Sequence, residues 1–274
     1  MTKILLLILI LFSLTGCTKK PPPSSTPKTN NEPVNTIDVK DRPYVTLAPT
    51  IGGRHPLGQE VTLTIHTVTL GATSVEYELE YQAGTLLQGA FGTIDLTKDQ
   101  PPVSKDLLFG SCSTGGKCAY HKDVSGGNLT LRFKGGSQNF NLKSEWNLQT
   151  MSDRQGKFSS RDGKFQLEVG KTGLPNNTFL VMIQTMGLPK SASGEILAGP
   201  YGIFTNNVKL SGTAQLTLRL NQDASSAKLL GWDGQAWKEY KSAVSAKTLT
   251  ATVDKLTTFI VTDWQGPSLS LFKN

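Results

Sequence analysis

The chain has 274 residues, a formal net charge of +7 and a pI near 9.2, a length that allows one large or two medium domains. Hydrophobic residues make up 37% and glycine is frequent at 27 residues; this composition excludes a wholly disordered chain and favours many short strands over long helices. The basic residues are scattered, with no cluster beyond Thr18-Lys19-Lys20, so we expect no nucleic-acid partner.

The N-terminus, MTKILLLILILFSLTGC, places Lys3 ahead of an apolar segment at residues 4–14. This segment is too short to cross a bilayer, which needs ~20 helical residues. The Leu14-Thr15-Gly16-Cys17 sequence resembles the lipobox of bacterial lipoproteins. The resemblance implies that residues 1–16 are a cleaved signal peptide and that Cys17 carries a lipid, which anchors the extracytoplasmic protein to a membrane of the cell envelope. The alternatives are an ordinary signal peptide and a short membrane anchor.

Residues 17–43 are expected to form the lipidated N-terminus and a Pro-rich tether. The stretch TKKPPPSSTPKTNNEPVNTIDVKDRP contains six prolines and almost no large apolar residues, so it cannot bury enough surface to offset the entropy of ordering. We therefore predict a semi-rigid spacer, partly polyproline II, between the membrane and the folded part.

Alternating apolar residues predict a first β-sandwich at residues 44–148. The alternation occurs in VTLTIHTVTL (61–70) and SVEYELEYQ (74–82), and NLTLRFKGGSQNFNLKSEW (128–146) reads as a hairpin. This pattern is typical of half-buried strands. Roughly seven short strands in about 100 residues favour an antiparallel immunoglobulin-like sandwich. The marker of antibody domains, a cross-sheet cysteine pair bracketing a tryptophan, is missing.

Cys112 and Cys118 lie in GSCSTGGKCAYHKDV (110–124), close to His121. The stretch is compatible with a metal site, a redox pair or a structural disulfide. Two cysteines and one histidine are one ligand short of a closed zinc site, and the spacing is not the C-x-x-C of redox catalysts. Extracytoplasmic cysteine pairs tend to oxidise, and Cys17 is taken by the lipid. The sequence therefore predicts a Cys112–Cys118 disulfide that pins a hairpin.

A linker at residues 149–157 and a second sandwich at residues 158–263 are predicted next, followed by a C-terminal tail at 264–274. The stretch TFLVMIQTM (178–186) is apolar on both faces, so we expect it to be a central strand. The Asp233-Gly234 dipeptide lies between two apolar runs, as expected of a hairpin turn.

Three motifs in this second region occur in an order known from one family of β-sandwiches. They are Leu210, Ser211, Ala214, Leu216 and Thr217 in one strand; Trp232, Asp233, Gly234 and Trp237 in a hairpin; and Thr258, Phe259 and Val261 in the last strand. This order resembles bacterial relatives of the ZU5 domain. The resemblance implies that residues 158–263 form a ZU5-like β-sandwich, which makes the whole chain an all-β protein of two antiparallel sandwich domains.

Some ZU5-related and GAIN-type domains cleave their own backbone at a His-(Phe/Leu)-(Ser/Thr) tripeptide before the last strand. The corresponding residues here are Lys255-Leu256-Thr257. A lysine is protonated at neutral pH and cannot accept the hydroxyl proton, so we expect no self-cleavage. His55, His66 and His121 are isolated from one another in the sequence, and the common nucleophile and phosphate-binding motifs are missing. We therefore assign no catalytic residue, metal ligand or cofactor.

Trp232, Trp237 and Tyr240 flank one predicted hairpin and form either an exposed platform for a glycan or part of the core. The sequence favours a lipid-anchored, adhesion-type interaction protein that binds a protein or glycan of the envelope and catalyses no reaction. The first alternative is a carbohydrate- or cell-wall-binding accessory lipoprotein. The second is an enzyme whose site assembles from distant loops.

Overall fold

The alternation of apolar residues produces antiparallel strands along nearly the whole of residues 33–263, which the computed structural model describes. A single turn of 3-10 helix, Val39–Asp41, precedes the strands, and one short helix, α1 (Met151–Arg154), lies between β9 and β10. The strands up to that helix are β1 Val45–Pro49, β2 Glu60–Ile65, β3 Ser74–Ala83, β4 Leu86–Asp95, β5 Val103–Leu108, β6 Gly110–Cys112, β7 Cys118–Tyr120, β8 Val124–Lys134 and β9 Phe140–Thr150. The strands after it are β10 Lys157–Ser159, β11 Phe165–Val169, β12 Phe179–Gln184, β13 Ile196–Thr205, β14 Ala214–Arg219, β15 Lys228–Trp232, β16 Trp237–Tyr240, β17 Ser242–Ser245, β18 Thr248–Val253 and β19 Thr258–Thr262.

The strands form one long sheet and three smaller ones. The long sheet has nine strands in the order β16-β15-β19-β13-β12-β9-β8-β3-β4. A three-stranded sheet, β1-β2-β5, and a five-stranded sheet, β10-β11-β14-β18-β17, pack against it, and β6-β7 is a separate hairpin. The prediction of an all-β protein built from antiparallel sheets is confirmed.

Strand β12 is buried on both faces and connects two hydrophobic cores. Val181 and Ile183 point into a core shared with β1, β2 and β5. Leu180 and Met182 point into a core shared with β11, β14 and β18. Because successive residues of a strand face opposite sides, the two small sheets cover opposite faces of the long sheet. The expectation that residues 178–186 contain a central strand is confirmed.

The first core is built mainly from the first predicted sandwich and the second core mainly from the second. The long sheet nevertheless continues from one region into the other. Strand β9 pairs with β12 from Thr150 opposite Phe179 to Trp146 opposite Ile183. The predicted linker at 149–157 contains the end of β9, α1 and the start of β10. The Thr150 side chain caps α1 by accepting a hydrogen bond from the Asp153 amide at 3.2 Å. Residues 149–157 are therefore an ordered connection within one sheet system.

The last part of the predicted tether, residues 33–43, packs on the folded region. Asn35 donates its side-chain amide to the Lys143 carbonyl at 2.9 Å and accepts the Lys143 amide at 3.0 Å. The Arg42 guanidinium donates to the carbonyls of Asn35 and Ile37 at 2.8 and 2.7 Å. These contacts fix residues 35–42 against the folded region, so this last part of the predicted tether is ordered.

Several predictions fall outside the described residues. These are the signal peptide at 1–16, the lipidation site Cys17, the first part of the tether, and the tail at 264–274. Among the described residues, no helix has the length and apolar character needed to cross a membrane.

Candidate functional site

The cysteine hairpin is formed by β6 and β7, which place Cys112 directly opposite Cys118. Their Sγ atoms lie 2.05 Å apart, at disulfide distance, as the sequence predicted. The Ser113 amide donates to the Lys117 carbonyl at 2.8 Å and closes the turn. The bond joins neighbouring strands of one hairpin and not two facing sheets, so the arrangement differs from that of antibody domains.

The structure brings His55, not His121, close to the two cysteines. The ligand atoms of His55, Cys112 and Cys118 all lie within 4.8 Å of one another. His121 instead places its Nδ1 atom 3.0 Å from the Tyr81 hydroxyl. The loop between β1 and β2 positions His55, a placement that spacing along the chain does not reveal.

Two further side chains hold His55 in place. Its Nδ1 atom lies 3.2 Å from the Tyr120 hydroxyl, and its Nε2 atom lies 3.8 Å from Oε1 of Glu60. The His55 and Glu60 side chains are both largely buried. Burial raises the pKa of the Glu60 carboxyl, Asp106 raises it further, and His55 opposes the rise.

The three aromatic residues of the predicted hairpin do not share one surface: Trp232 and Trp237 lie opposite each other on β15 and β16, and Tyr240 lies on the other face of β16. Trp232 and Trp237 meet edge to face with ring centroids 5.6 Å apart, and the Trp237 indole donates to the Lys190 carbonyl at 2.9 Å. Tyr240 is buried in the second core, and its hydroxyl donates to Asp254 at 2.6 Å. Burial, followed by the Asp254 carboxylate, raises the pKa of Tyr240. The two half-buried tryptophans therefore share a surface that Tyr240 does not reach.

The Lys255-Leu256-Thr257 tripeptide lies beside an open groove of about 520 Å³, whose lining includes Phe204 and Lys209. The Thr257 hydroxyl donates to the Trp232 carbonyl at 2.7 Å. The Lys255 ammonium is 3.4 Å from the Asp233 carbonyl. In this arrangement the threonine proton is held by a carbonyl, and the neighbouring side chain is a donor.

A polar cluster surrounds Asp162, in the turn between β10 and β11. Its carboxylate accepts hydrogen bonds from the hydroxyls of Ser160 and Tyr201 and from the Lys164 amide. Desolvation acts to raise the pKa of Asp162, but these hydrogen bonds outweigh it and the pKa is lowered. Because the donors occupy both carboxylate oxygens, this cluster fastens the turn to the long sheet.

Strand β4 forms one edge of the nine-stranded sheet and carries an exposed apolar surface. Leu86, Leu87 and Phe91 are 63%, 64% and 82% exposed. No charged residue and no proline occurs at residues 84–94. We call this strand, with its three exposed side chains, the β4 edge. The sequence patterns considered above do not include these residues, and the uncharged run is the signal that could have indicated an edge.

The other sheet edges are short, charged or interrupted, as is usual for edges that avoid unwanted pairing. Strand β16 carries Lys238 and Glu239, β5 carries Lys105, and β1 ends at Pro49. Strands β10 and β17 have only three and four residues. Strand β4 differs from all of them, because it has ten residues and its only charged residue, Asp95, is the last one.

Two of the three glutamates of β3 beside the β4 edge form ion pairs, and the third, Glu80, accepts a hydrogen bond from the Asn128 side chain at 3.2 Å. Phe91 lies opposite Glu78 in the β3–β4 ladder, and Glu78 forms an ion pair with Arg132 at 3.0 Å. Glu76 forms a second ion pair, with Lys134 at 2.6 Å. Arg132 and Lys134 on β8 thus neutralise Glu78 and Glu76 beside the exposed apolar side chains at the rim of the sheet.

No family model, no curated protein and no solved structure matches this chain. The resemblances to bacterial lipoproteins and to ZU5 domains therefore remain expectations from the sequence. A fold class alone does not assign a function, so the side chains described above carry the functional argument.

Proposed function

We propose that this protein acts by binding, as an interaction protein of the cell envelope held at a membrane by a lipid on Cys17. The β4 edge carries the proposal. Large apolar side chains seldom lie together on the exposed edge strand of a sheet unless another protein binds there. The partner is an extended protein segment that adds a strand to β4.

Strand addition uses both features of this edge. The outer backbone groups of β4 hydrogen-bond to the incoming strand, and alternate side chains supply apolar contact. Leu87 and Phe91 lie on one face, because residues four apart in a strand share a face. Leu86 lies on the other face, in the row that contains the buried Ile94. An added strand is thereby contacted on both sides.

The energetic contribution of each anchor can be estimated. Burying a Leu or Phe side chain contributes about 1.5–3 kcal/mol. Association itself costs several kcal/mol in lost rigid-body freedom, so three anchors plus main-chain hydrogen bonds give a moderate affinity. Removal of Phe91, the most exposed of the three, is expected to weaken binding at least tenfold, which corresponds to ~1.4 kcal/mol.

Two arrangements support binding over catalysis. The Asp162 carboxylate is occupied by donors, and the Thr257 hydroxyl is engaged with a backbone carbonyl. A nucleophile needs an adjacent base within hydrogen-bond reach, and Lys255 supplies a donor at that position. We therefore propose that the protein is not an enzyme and does not cleave itself.

A glycan-binding role is the second candidate, and it rests on the edge-to-face contact of Trp232 and Trp237. Both rings are half-buried, and Trp237 packs against the small cluster formed by Leu188, Leu230 and Ile260. This packing leaves less ring surface for a sugar than an open platform offers.

The experiment compares binding of the lipid-free mature chain to an envelope preparation with that of two lysine variants. Phe91→Lys places a charge on the β4 edge, whereas Gln215→Lys places the same charge at an exposed position within a paired strand. We expect Phe91→Lys to lose at least tenfold in affinity and Gln215→Lys to bind as the wild type does. Equal binding by all three proteins would refute the proposed function.

A further inference from the structure

We propose that the cysteine hairpin is a redox-controlled metal site, in which Cys112, Cys118 and His55 bind a thiophilic divalent cation such as Zn²⁺ once the disulfide is reduced. The inference is independent of the β4 edge. It starts from the placement of the His55 ring, whose nitrogen lies within 4.8 Å of both sulfurs.

His55 is held as a metal-binding histidine usually is. Such a histidine commonly has one ring nitrogen hydrogen-bonded to a neighbour, which fixes the ring and leaves the other nitrogen for the metal. Here Nδ1 lies 3.2 Å from the Tyr120 hydroxyl, and the two rings meet edge to face. The Nε2 atom is left as the metal ligand.

Three ligand atoms, from His55, Cys112 and Cys118, lie within 4.8 Å of one another, and a water molecule takes the fourth position of a tetrahedral zinc ion. The Glu60 carboxylate, whose Oε1 atom lies 3.8 Å from Nε2 of His55, adds a negative charge beside this set. From the sequence, two cysteines and one histidine are one ligand short of a closed zinc site. The structure supplies His55, from the segment between β1 and β2, in place of His121.

Reduction controls the site because the disulfide offers no thiolate. A dithiol reductant transfers two electrons and two protons to the Cys112–Cys118 bond; the S–S bond breaks, two thiols form, and the reductant becomes a disulfide. Metal binding then releases the two thiol protons to solvent as two metal–sulfur bonds form. In a tetrahedral site with ~2.3 Å bonds the sulfurs stand roughly 3.8 Å apart, so both side chains must rotate.

The hairpin leaves room for this rearrangement. Cys112 is exposed and Cys118 is half-buried, so a reductant can reach the bond. The turn residues 113–117 are all exposed. Two thiolates and an imidazole favour Zn²⁺, Co²⁺ or Cd²⁺ over Mg²⁺ and Ca²⁺, which prefer oxygen ligands.

The test titrates Co²⁺ into the lipid-free mature chain under anaerobic conditions, with the protein either reduced by a phosphine or left oxidised. We expect one equivalent to bind to the reduced protein with the thiolate charge-transfer and intense visible bands of tetrahedral cobalt. The oxidised protein should show neither. Zn²⁺ should displace the cobalt and remove the colour.

Histidine variants separate this site from a simple dithiol. His55→Ala should weaken Co²⁺ binding at least tenfold, whereas His121→Ala, the matched control, should bind as the wild type does. Circular dichroism of each oxidised variant checks folding, and His55→Gln serves if the alanine variant is unfolded. Absence of stoichiometric binding by the reduced wild type, or unchanged binding by the folded His55 variant, would overturn the proposal.

Discussion

Two neighbouring residues of β12 test whether the two cores unfold as one unit. Ile183 faces the first core and Met182 the second, and both are fully buried. Replacement of either by alanine removes three heavy atoms beyond Cβ. Transfer alone costs about 2.4 kcal/mol at ~0.8 kcal/mol per methylene-sized group, and the residual cavity brings the expected loss to about 2–5 kcal/mol.

Differential scanning calorimetry, with far-UV circular dichroism as a second probe, measures the effect. Because β9, β12 and β13 belong to one continuous sheet, we expect a single transition in the wild type. For a unit of this size each kcal/mol shifts the midpoint by about 2–4 °C, so each variant should unfold roughly 5–20 °C earlier. Gln215→Ala, at an exposed position of β14, should change stability by less than about 0.5 kcal/mol.

Two unfolding transitions in the wild type would contradict this expectation. They would occur if the predicted linker at 149–157 separates two domains that unfold independently. Ile183→Ala and Met182→Ala will then each lower a different one. That outcome would show that the β9–β12 pairing does not couple the unfolding of the two cores. It would refute the interpretation of the long sheet as one cooperative unit.

Two further predictions follow from other sites. The native pKa of Asp162 is lowered, so its charge contributes stability that is present above the ordinary carboxyl range and is lost as pH falls through the native pKa. Asp162→Asn should therefore destabilise the protein at pH 7 by about 1 kcal/mol or less. Chemical denaturation should show that the difference shrinks as pH falls below the ordinary carboxyl range, and a constant difference would contradict this reasoning. Peptidoglycan fragments should leave the tryptophan fluorescence of the wild type unchanged, whereas a saturable shift that Trp237→Ala abolishes, with the variant still folded, would favour the glycan candidate.

Period-two alternation in the sequence is sufficient to locate several strands. The pattern at residues 74–82 corresponds to β3, and the predicted hairpin at 128–146 corresponds to β8 and β9. The two-sided apolar stretch around Met182 became the strand buried on both faces. These predictions were correct because alternation directly records which face of a strand is buried.

Long-range contacts were not encoded in that pattern. The pairing of Trp146 with Ile183 joins segments separated by α1 and two strands, and no local signal marks which edge of β9 receives β12. The approach of His55 to the cysteines likewise depends on how the loop after β1 crosses the hairpin. Sequence proximity pointed to His121, which pairs with Tyr81 instead.

Strand β4 shows no clear alternation in the sequence, because glycines interrupt it. Gly92 lies opposite Tyr77 in the ladder, and a Cβ atom at this position would come within 2.4 Å of the tyrosine hydroxyl. The glycine is therefore required by packing against the Tyr77 side chain, while Leu86 and Phe91 remain exposed. The interrupted alternation at residues 84–94 does not predict a buried strand, but it is compatible with a strand exposed at the edge of a sheet.

Photocrosslinking from the β4 edge tests the central claim most directly. A photoreactive phenylalanine analogue placed at Phe91, and separately at Gln215, is introduced into the lipid-free mature chain, which is then irradiated with an envelope preparation. The account predicts a discrete crosslinked protein from position 91, mapped to an extended segment of the partner, and none from position 215. No crosslink from position 91, or the same products from both positions, would contradict binding through the β4 edge.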